Sequence, residues 1–328
     1  MTLSTSLLVL LAFAALMACL WMYFAFRRDL RAAQERLGGI SRIVPTASGP
    51  IECAEAGKGP PLLAVHGAGG GVDQGMAIGR PLVDRGFRVI AMSRFGYLRT
   101  PLPEDASPSA QADAHASLLD ALGVARVAVI GVSAGAPSAM QFAIRHPDRC
   151  AALVLLVPLA YKPAEVAPSA PKLSPRAEKI LMTIAGSDLA FWLAWKFART
   201  VLIRLALATP PEIVSAASKD EQMRIDGTLD RVLPVSARLR GIFNEKRIAD
   251  SLTRFALEKI VAPTLVISVR DDLFGTFASA QYTAAQIANA KFVGYETGGH
   301  LWVGHHEDLI AEVDAFLRTH CGADRAQS

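Results

Sequence analysis

Arg126-Val127-Ala128-Val129-Ile130, then Gly131-Val132-Ser133-Ala134-Gly135, then Pro137-Ser138-Ala139-Met140-Gln141-Phe142-Ala143 is the stretch that decides the fold. A strand-like run turns at once into a helix-like run, and the turn is a G-x-S-x-G pentapeptide. Glycines on both sides of such a turn let it hold a serine in a strained conformation with its Oγ directed into a cleft. The next backbone N–H, that of Ala134, then falls at a helix N-terminus, where unpaired donors and the helix dipole favour a developing negative charge. Ser133 is therefore a candidate nucleophile, and Ala134 a candidate oxyanion donor.

Working outward, strands and helices alternate. Ile51 to Ala54 and Leu62 to Val65 are apolar runs separated by the turn Gly57-Lys58-Gly59-Pro60. Arg88 to Met92 reads as a strand, and Gln111 to Leu122 has helical spacing, with Ala114, Leu118, Leu119 and Leu122 on one stripe. After the helix that ends near His146 come strands at Ala152 to Val157 and Pro263 to Val269, a helix from Phe277 to Ala288, and a strand from Lys291 to Tyr295. Asp308 to Leu317 closes the pattern with an amphipathic helix. This order predicts an α/β fold with a mostly parallel, doubly wound sheet, whose ligands sit at the carboxyl ends of the strands.

One stretch, at about residues 160–250, breaks the alternation. It opens rich in proline (Pro163, Pro168, Pro171, Pro175) and continues helical in pattern. Such an insertion is expected to sit as a lid above the carboxyl edge of the sheet. Within it, Phe191 to Leu207 is apolar, contains Trp192 and Trp195, and is punctuated by Lys196, Arg199 and Arg204. That composition suits a helix packed on the core, or a face that touches a bilayer.

The amino terminus is a separate physical object. Leu7 to Phe26 carries no charge and is followed by Arg27-Arg28, which is about the twenty residues a membrane-spanning helix needs. Residues 1–36 are expected to be a membrane anchor and a basic linker, and residues 37–328 the catalytic body. No basic stretch precedes the apolar run, which also exceeds the usual core of a cleaved signal peptide. Arg27, Arg28, Arg31 and Arg36 all follow it, so the positive-inside tendency places the body in the cytoplasm.

A net charge of +4 over 328 residues, with no basic block interleaved with aromatics, argues against a nucleic-acid partner. The partners expected are the membrane and a small hydrophobic, ester-like substrate. Cys19, Cys53, Cys150 and Cys321 are scattered, without the spacing of a metal site, so free thiols are expected, with no metal and no cofactor.

A serine hydroxyl needs a base to take its proton and an acid to orient that base. His300, in Glu296-Thr297-Gly298-Gly299-His300, follows directly on a strand and is the candidate base. His305 and His306 begin the last helix and are expected to face solvent. Arg270-Asp271-Asp272 follows the Pro263 to Val269 strand and supplies two adjacent candidate acids. His66-Gly67-Ala68-Gly69-Gly70-Gly71 follows the Leu62 to Val65 strand, and its N–H groups can converge on a carbonyl oxygen, that of Ala68 being the best placed. The loop lacks the G-K-[ST] ending of a phosphate-binding loop, and His66 is expected to stabilise it.

Together the His66-Gly67 loop, the turn around Ser133, the Asp271-Asp272 pair and His300 resemble the α/β-hydrolases from about Ile51 to Leu317. Arg94-Phe95-Gly96-Tyr97 is similar to an altered form of that family's Arg-Gly-x-Gly loop. The chain departs from the family where a proline often follows the acid, around Thr276. The resemblance implies Asp272 as the acid and Asp271 as structural. It also implies attack by Ser133, proton transfer through His300, and an oxyanion hole from the Ala68 and Ala134 N–H groups. Ester or lactone hydrolysis through an acyl-enzyme is the leading expectation. Thioester hydrolysis, carbon–carbon cleavage, cofactor-free perhydrolysis and acyl transfer use the same residues. A ligand-binding protein that keeps the fold without the activity is the non-enzyme alternative, against which the complete triad counts.

Overall fold

A computed structural model of the chain describes residues 3–163, 174, 176, 179, 183 and 186–321. The prolines Pro168, Pro171 and Pro175, on which the opening of the insertion was read, lie outside these residues. An eight-stranded sheet forms the centre: β1 (Arg42–Thr46), β2 (Gly49–Ala56), β3 (Pro61–Val65), β4 (Arg88–Met92), β5 (Val127–Val132), β6 (Cys150–Leu156), β7 (Thr264–Val269) and β8 (Ala290–Tyr295), in the order β1-β2-β4-β3-β5-β6-β7-β8. The β1–β2 and β2–β4 pairs are antiparallel and the rest are parallel.

Alternate residues of the central strands enter two separate cores, which is why these strands read as continuous apolar runs rather than as alternation. Leu63, Val65, Val129, Leu153 and Val266 face one core, under α3 (Pro108–Ala121), α4 (Ala136–Arg145) and α10 (Thr276–Gln286). Leu62, Ala64, Ile130, Val154 and Ile267 face the other, under α2 (Val72–Val83) and α11 (His306–Cys321). Local signals place the helix ends: Ser107 caps α3 by accepting from the Ala110 N–H at 3.2 Å, and Pro108 occupies the first turn.

Between β6 and β7 lie α5 (Asp188–Phe197), α6 (Arg199–Leu205), α7 (Pro211–Ala216), α8 (Lys219–Asp230) and α9 (Leu239–Asp250). This helical insertion has a third core of its own, which includes Trp192, Leu202, Ile225 and Leu229. The amino-terminal helix α1 runs unbroken from Leu3 to Gly38. The residues expected to form a basic linker are thus its last turns, and Ala33 is buried in the core of the insertion. An antiparallel strand, β1, stands where no strand was expected. Its exposed edge residues and internal Pro45 hide the usual periodicity.

Candidate active site

The site forms where β3, β5, β7 and β8 end. β5 delivers Ser133 with φ +49°, a left-handed conformation that is uncommon outside glycine and is held here by its surroundings. The flanking glycines are required sterically. A Cβ on Gly131 would stand 2.6 Å from the Ala139 Cβ, and one on Gly135 would stand 2.5 Å from the His66 carbonyl oxygen. The Ser133 carbonyl accepts from the Leu159 N–H at 3.0 Å, tying the turn to the segment after β6.

Ser133 Oγ lies 2.9 Å from His300 Nε2, and His300 Nδ1 lies 2.8 Å from Asp272 Oδ2. Asp272 is fully engaged: Oδ1 accepts from the Phe274 N–H at 2.8 Å, and Oδ2 also accepts from the Thr276 hydroxyl. Thr276 in turn meets the Ser268 hydroxyl at 3.0 Å. Asp271 turns the other way and accepts from the N–H groups of Gly298 and Gly299, at 3.2 and 2.7 Å. The two adjacent carboxylates thus divide the work: one contacts the imidazole and the other fixes the loop that carries it. Ala208, in the insertion, adds a clasp, its carbonyl accepting from the Leu273 and His300 N–H groups at 3.0 and 3.3 Å.

In the loop after β3, Gly67 donates its N–H to Gln74 Oε1 at 2.8 Å, Gly69 to the Tyr97 hydroxyl at 3.3 Å, and Gly70 to the Gly67 carbonyl at 3.4 Å. The Ala68 N–H has no such partner among the described residues, and Ala68 lines the same cavity as Ser133 and His300. Ala134 follows Ser133 in a short turn leading directly into α4. His66 is wholly buried, with Nδ1 2.8 Å from the Gly67 carbonyl oxygen and Nε2 accepting from the Arg94 N–H at 3.0 Å. Burial, reinforced by the Arg94 charge, holds its pKa well below the usual histidine range. It acts as a neutral spacer of the loop.

The cavity in front of Ser133 measures about 240 Å³. Its walls are mainly apolar, with Ile78, Leu207, Phe274 and Trp302 among them, and Arg224, Arg231 and His306 supply polar points. Arg224 is neutralised by Glu221 at 2.9 Å, whereas Arg231 donates to the Gly227 carbonyl at 2.7 Å. His306 was expected in solvent but is half-buried against this cavity. Its Nδ1 accepts from Trp302 Nε1 at 3.4 Å, and burial, with Arg224 nearby, lowers its pKa.

Three positions were missed by sequence reasoning. Thr276 gave a partial signal, as the departure from the family's proline. Arg231 and the Ala208 carbonyl gave none, because both belong to the insertion, whose placement over the site depends on tertiary contacts. Among the described residues there is no cluster of His, Cys, Asp and Glu that would hold a metal ion.

A strained serine after a parallel strand, with histidine and aspartate on the two later strand ends, defines the hydrolase class of doubly wound proteins. The chain belongs to the alpha/beta hydrolase fold family, whose model matches residues 60–303. It is 30% identical over 252 residues to a 2-hydroxy-6-oxononadienedioate/2-hydroxy-6-oxononatrienedioate hydrolase of Paraburkholderia xenovorans, covering 75% of this chain and 82% of that protein. Among solved structures, an alpha/beta hydrolase fold protein from Nakamurella multipartita superposes with a TM-score of 0.68 at 31% identity, over 85% of this chain and 99% of the other. An esterase from Exiguobacterium antarcticum gives 0.64 at 16% identity, over 87% and 100%, a likeness of fold alone.

Proposed function

We propose that the protein is a serine hydrolase that cleaves a carboxylic ester or lactone of a small hydrophobic substrate through an acyl-enzyme. The observation that carries this reading is the continuous chain Ser133 Oγ, His300, Asp272, at 2.9 and 2.8 Å, opening on a mainly apolar cavity beside an Ala68 N–H that has no hydrogen-bond partner among the described residues. Ser133 gives its proton to His300 Nε2 as Oγ attacks the carbonyl carbon. Asp272 holds the Nδ1–H and stabilises the imidazolium. The N–H groups of Ala68 and Ala134 receive the oxyanion, each such donor being worth on the order of 100-fold in rate. The leaving alcohol takes the proton from Nε2, and water, activated by the same nitrogen, cleaves the acyl-enzyme. The helical insertion serves as the lid, contributing Leu207, Met223 and Arg231 to the cavity.

A second reading rests on Arg231 together with the 30% identical relative, whose named substrate carries two carboxylates. In it the same triad cleaves a carbon–carbon bond of an oxo-dienoate, with Arg231 receiving a carboxylate. One assay separates the two. The full chain in detergent is given aryl esters of increasing acyl length and, separately, a chromophoric 2-hydroxy-6-oxo-dienoate, beside its Ser133→Ala variant. Ester turnover that falls by about three orders of magnitude or more in the variant supports the first reading. Dienoate turnover without ester turnover moves the assignment to the second. Activity unchanged in Ser133→Ala refutes both.

A further inference from the structure

We propose that the face formed by α5 and α6 of the insertion lies on the surface of the bilayer that α1 enters, so that a lipid surface is its partner. The inference rests on α1 crossing a membrane, and its test is independent of catalysis. Helix α1 has two halves. From Leu7 to Phe24 it is apolar, exposed except at the half-buried Met22, and without Asp, Glu, Lys or Arg, a length and composition sufficient to span a bilayer. Arg27 and Arg28 close that half, with Trp21 and Tyr23 just before them, the arrangement that marks a membrane–water boundary.

Within one turn of that boundary α1 grips α5. Phe26 meets Trp192 edge to face with centroids 5.9 Å apart. Trp192 Nε1 donates to Asp29 Oδ2 at 3.0 Å, and Lys196 Nζ lies 3.1 Å from the same oxygen. Further along, Ala33 is buried in the core of the insertion, and Arg36 donates to the carbonyls of Asp230 and Leu233 at 2.9 and 3.2 Å. These contacts span about 15 Å of helix at 1.5 Å per residue. Attachment over such a length fixes both rotation and tilt, so α1 and the insertion move as one piece. The level of α5 relative to the boundary follows: its carboxyl end lies beside Asp29, less than one turn beyond Phe26.

At that level the insertion exposes apolar side chains among cations. Leu189 is 46%, Phe197 69% and Val201 45% exposed, and Lys196, Arg199 and Arg204 stand among them, paired with Asp29, Asp226 and Glu212 respectively. Phe197 directly follows the lysine paired with Asp29. Exposed apolar side chains flanked by paired charges suit the headgroup region, where Phe197, Val201 and Leu189 would enter the acyl boundary while the ion pairs stay at its polar edge. The residues that follow α6, Ala206 and Leu207, line the cavity of Ser133. The membrane-facing helix thus runs directly into the wall of the cavity, which under the hydrolase reading favours membrane-partitioned esters as the substrate class.

The test reads depth rather than turnover. Phe197→Cys, Val201→Cys and, as a control on α9, Phe243→Cys are each placed in the full chain carrying Cys19→Ser and Cys321→Ser. The proteins are labelled with a small fluorophore and reconstituted in vesicles of phosphatidylcholine and phosphatidylglycerol. Lipids carrying a nitroxide near the headgroup are expected to quench the labels at 197 and 201, and iodide in the buffer to quench the label at 243. In the unmodified chain, a diazirine probe dissolved in the bilayer is expected to mark α5 and α6 as well as α1. Labels at 197 and 201 that respond to iodide as 243 does, with the diazirine confined to α1, would mean that the body stands off the membrane and would overturn the proposal. Recovery of the protein in the soluble fraction, or shielding of 197 and 201 that depends on protein concentration and not on lipid, would overturn it too.

Discussion

The guanidinium of Arg94 donates from Nη2 to the carbonyl oxygen of Gly67 at 3.2 Å. That carbonyl belongs to the same peptide unit as the Ala68 N–H, so a buried cation polarises and orients the candidate oxyanion donor from behind. Arg94 also donates to the Ala134 carbonyl at 3.1 Å and pairs with Glu245 from α9. Burial lowers its pKa to about 10, which leaves it charged at neutral pH. The expected result of Arg94→Met is a fall in kcat of about tenfold or more with KM little changed, somewhat less than the loss of a whole oxyanion donor. Leaving Glu245 buried without its partner costs about 3–5 kcal/mol. Pairing the change with Glu245→Met is therefore expected to restore Tm but not kcat. Joint recovery of both would reduce Arg94 to a structural role.

Asp271 and Asp272 are neighbours in sequence with different partners, and substitution is expected to separate them. Asp272→Asn leaves His300 Nδ1 facing an amide, so kcat is expected to drop by about 10⁴. Asp271→Asn weakens two backbone contacts at Gly298 and Gly299, and its main effect is expected on Tm, with kcat within about tenfold of the parent. Equal losses of kcat in the two variants would contradict the division of roles.

Most of the sheet was legible because both faces are covered, and buried strands such as Val127–Val132 keep their apolar runs whatever the tertiary context. Ser133, His300 and the Asp271-Asp272 pair were legible for a related reason: each follows a strand end, where chain order alone predicts a position in the cleft. β1 was not legible, since its residues are mostly exposed and carry a proline. Neither was the docking of α1. Asp29 joins Trp192 and Lys196 across more than 160 residues of sequence, a contact that no local pattern announces. His306 misled because its place at the start of a helix suggests solvent, while the insertion covers it. Where the site is built from strand ends it could be read, and where it is built from the insertion it could not.

Arg238 fixes the insertion to the loop after β3 and the start of α2. It is fully buried, donates to Asp73 Oδ2 at 2.9 Å and to the Val232 carbonyl at 3.0 Å, and also reaches the Gly70 carbonyl. Removing one member of a buried pair leaves the other charge uncompensated, at a cost of about 3–5 kcal/mol. Arg238→Met is expected to lower Tm sharply, and Arg238→Met with Asp73→Leu to recover part of the loss. A single variant as stable as the parent would show that Asp73 is solvated by other means.

The pH dependence of stability follows from two histidines buried in the neutral form. His115, on the face of α3 that meets α4, has Nε2 3.1 Å from the Ser138 hydroxyl. Its pKa is lowered to about 3, by burial first and then by the charges of Arg94 and His146. His66 is lowered for the same leading reason. In the unfolded chain both return to about 6.5, so the unfolded state binds more protons than the native state as pH falls. Their contribution is present well above about pH 6.5 and is lost progressively as pH falls through it, for His115 approaching about 1.4 kcal/mol per pH unit. Thermal unfolding of the full chain in detergent between pH 7.5 and 5 is expected to show Tm falling toward acid. The fall should be shallower in His115→Gln, which cannot take up that proton when it unfolds. A parallel acid slope in parent and variant would mean that His115 does not drive it, and that the carboxylates paired in the native state carry the acid sensitivity instead.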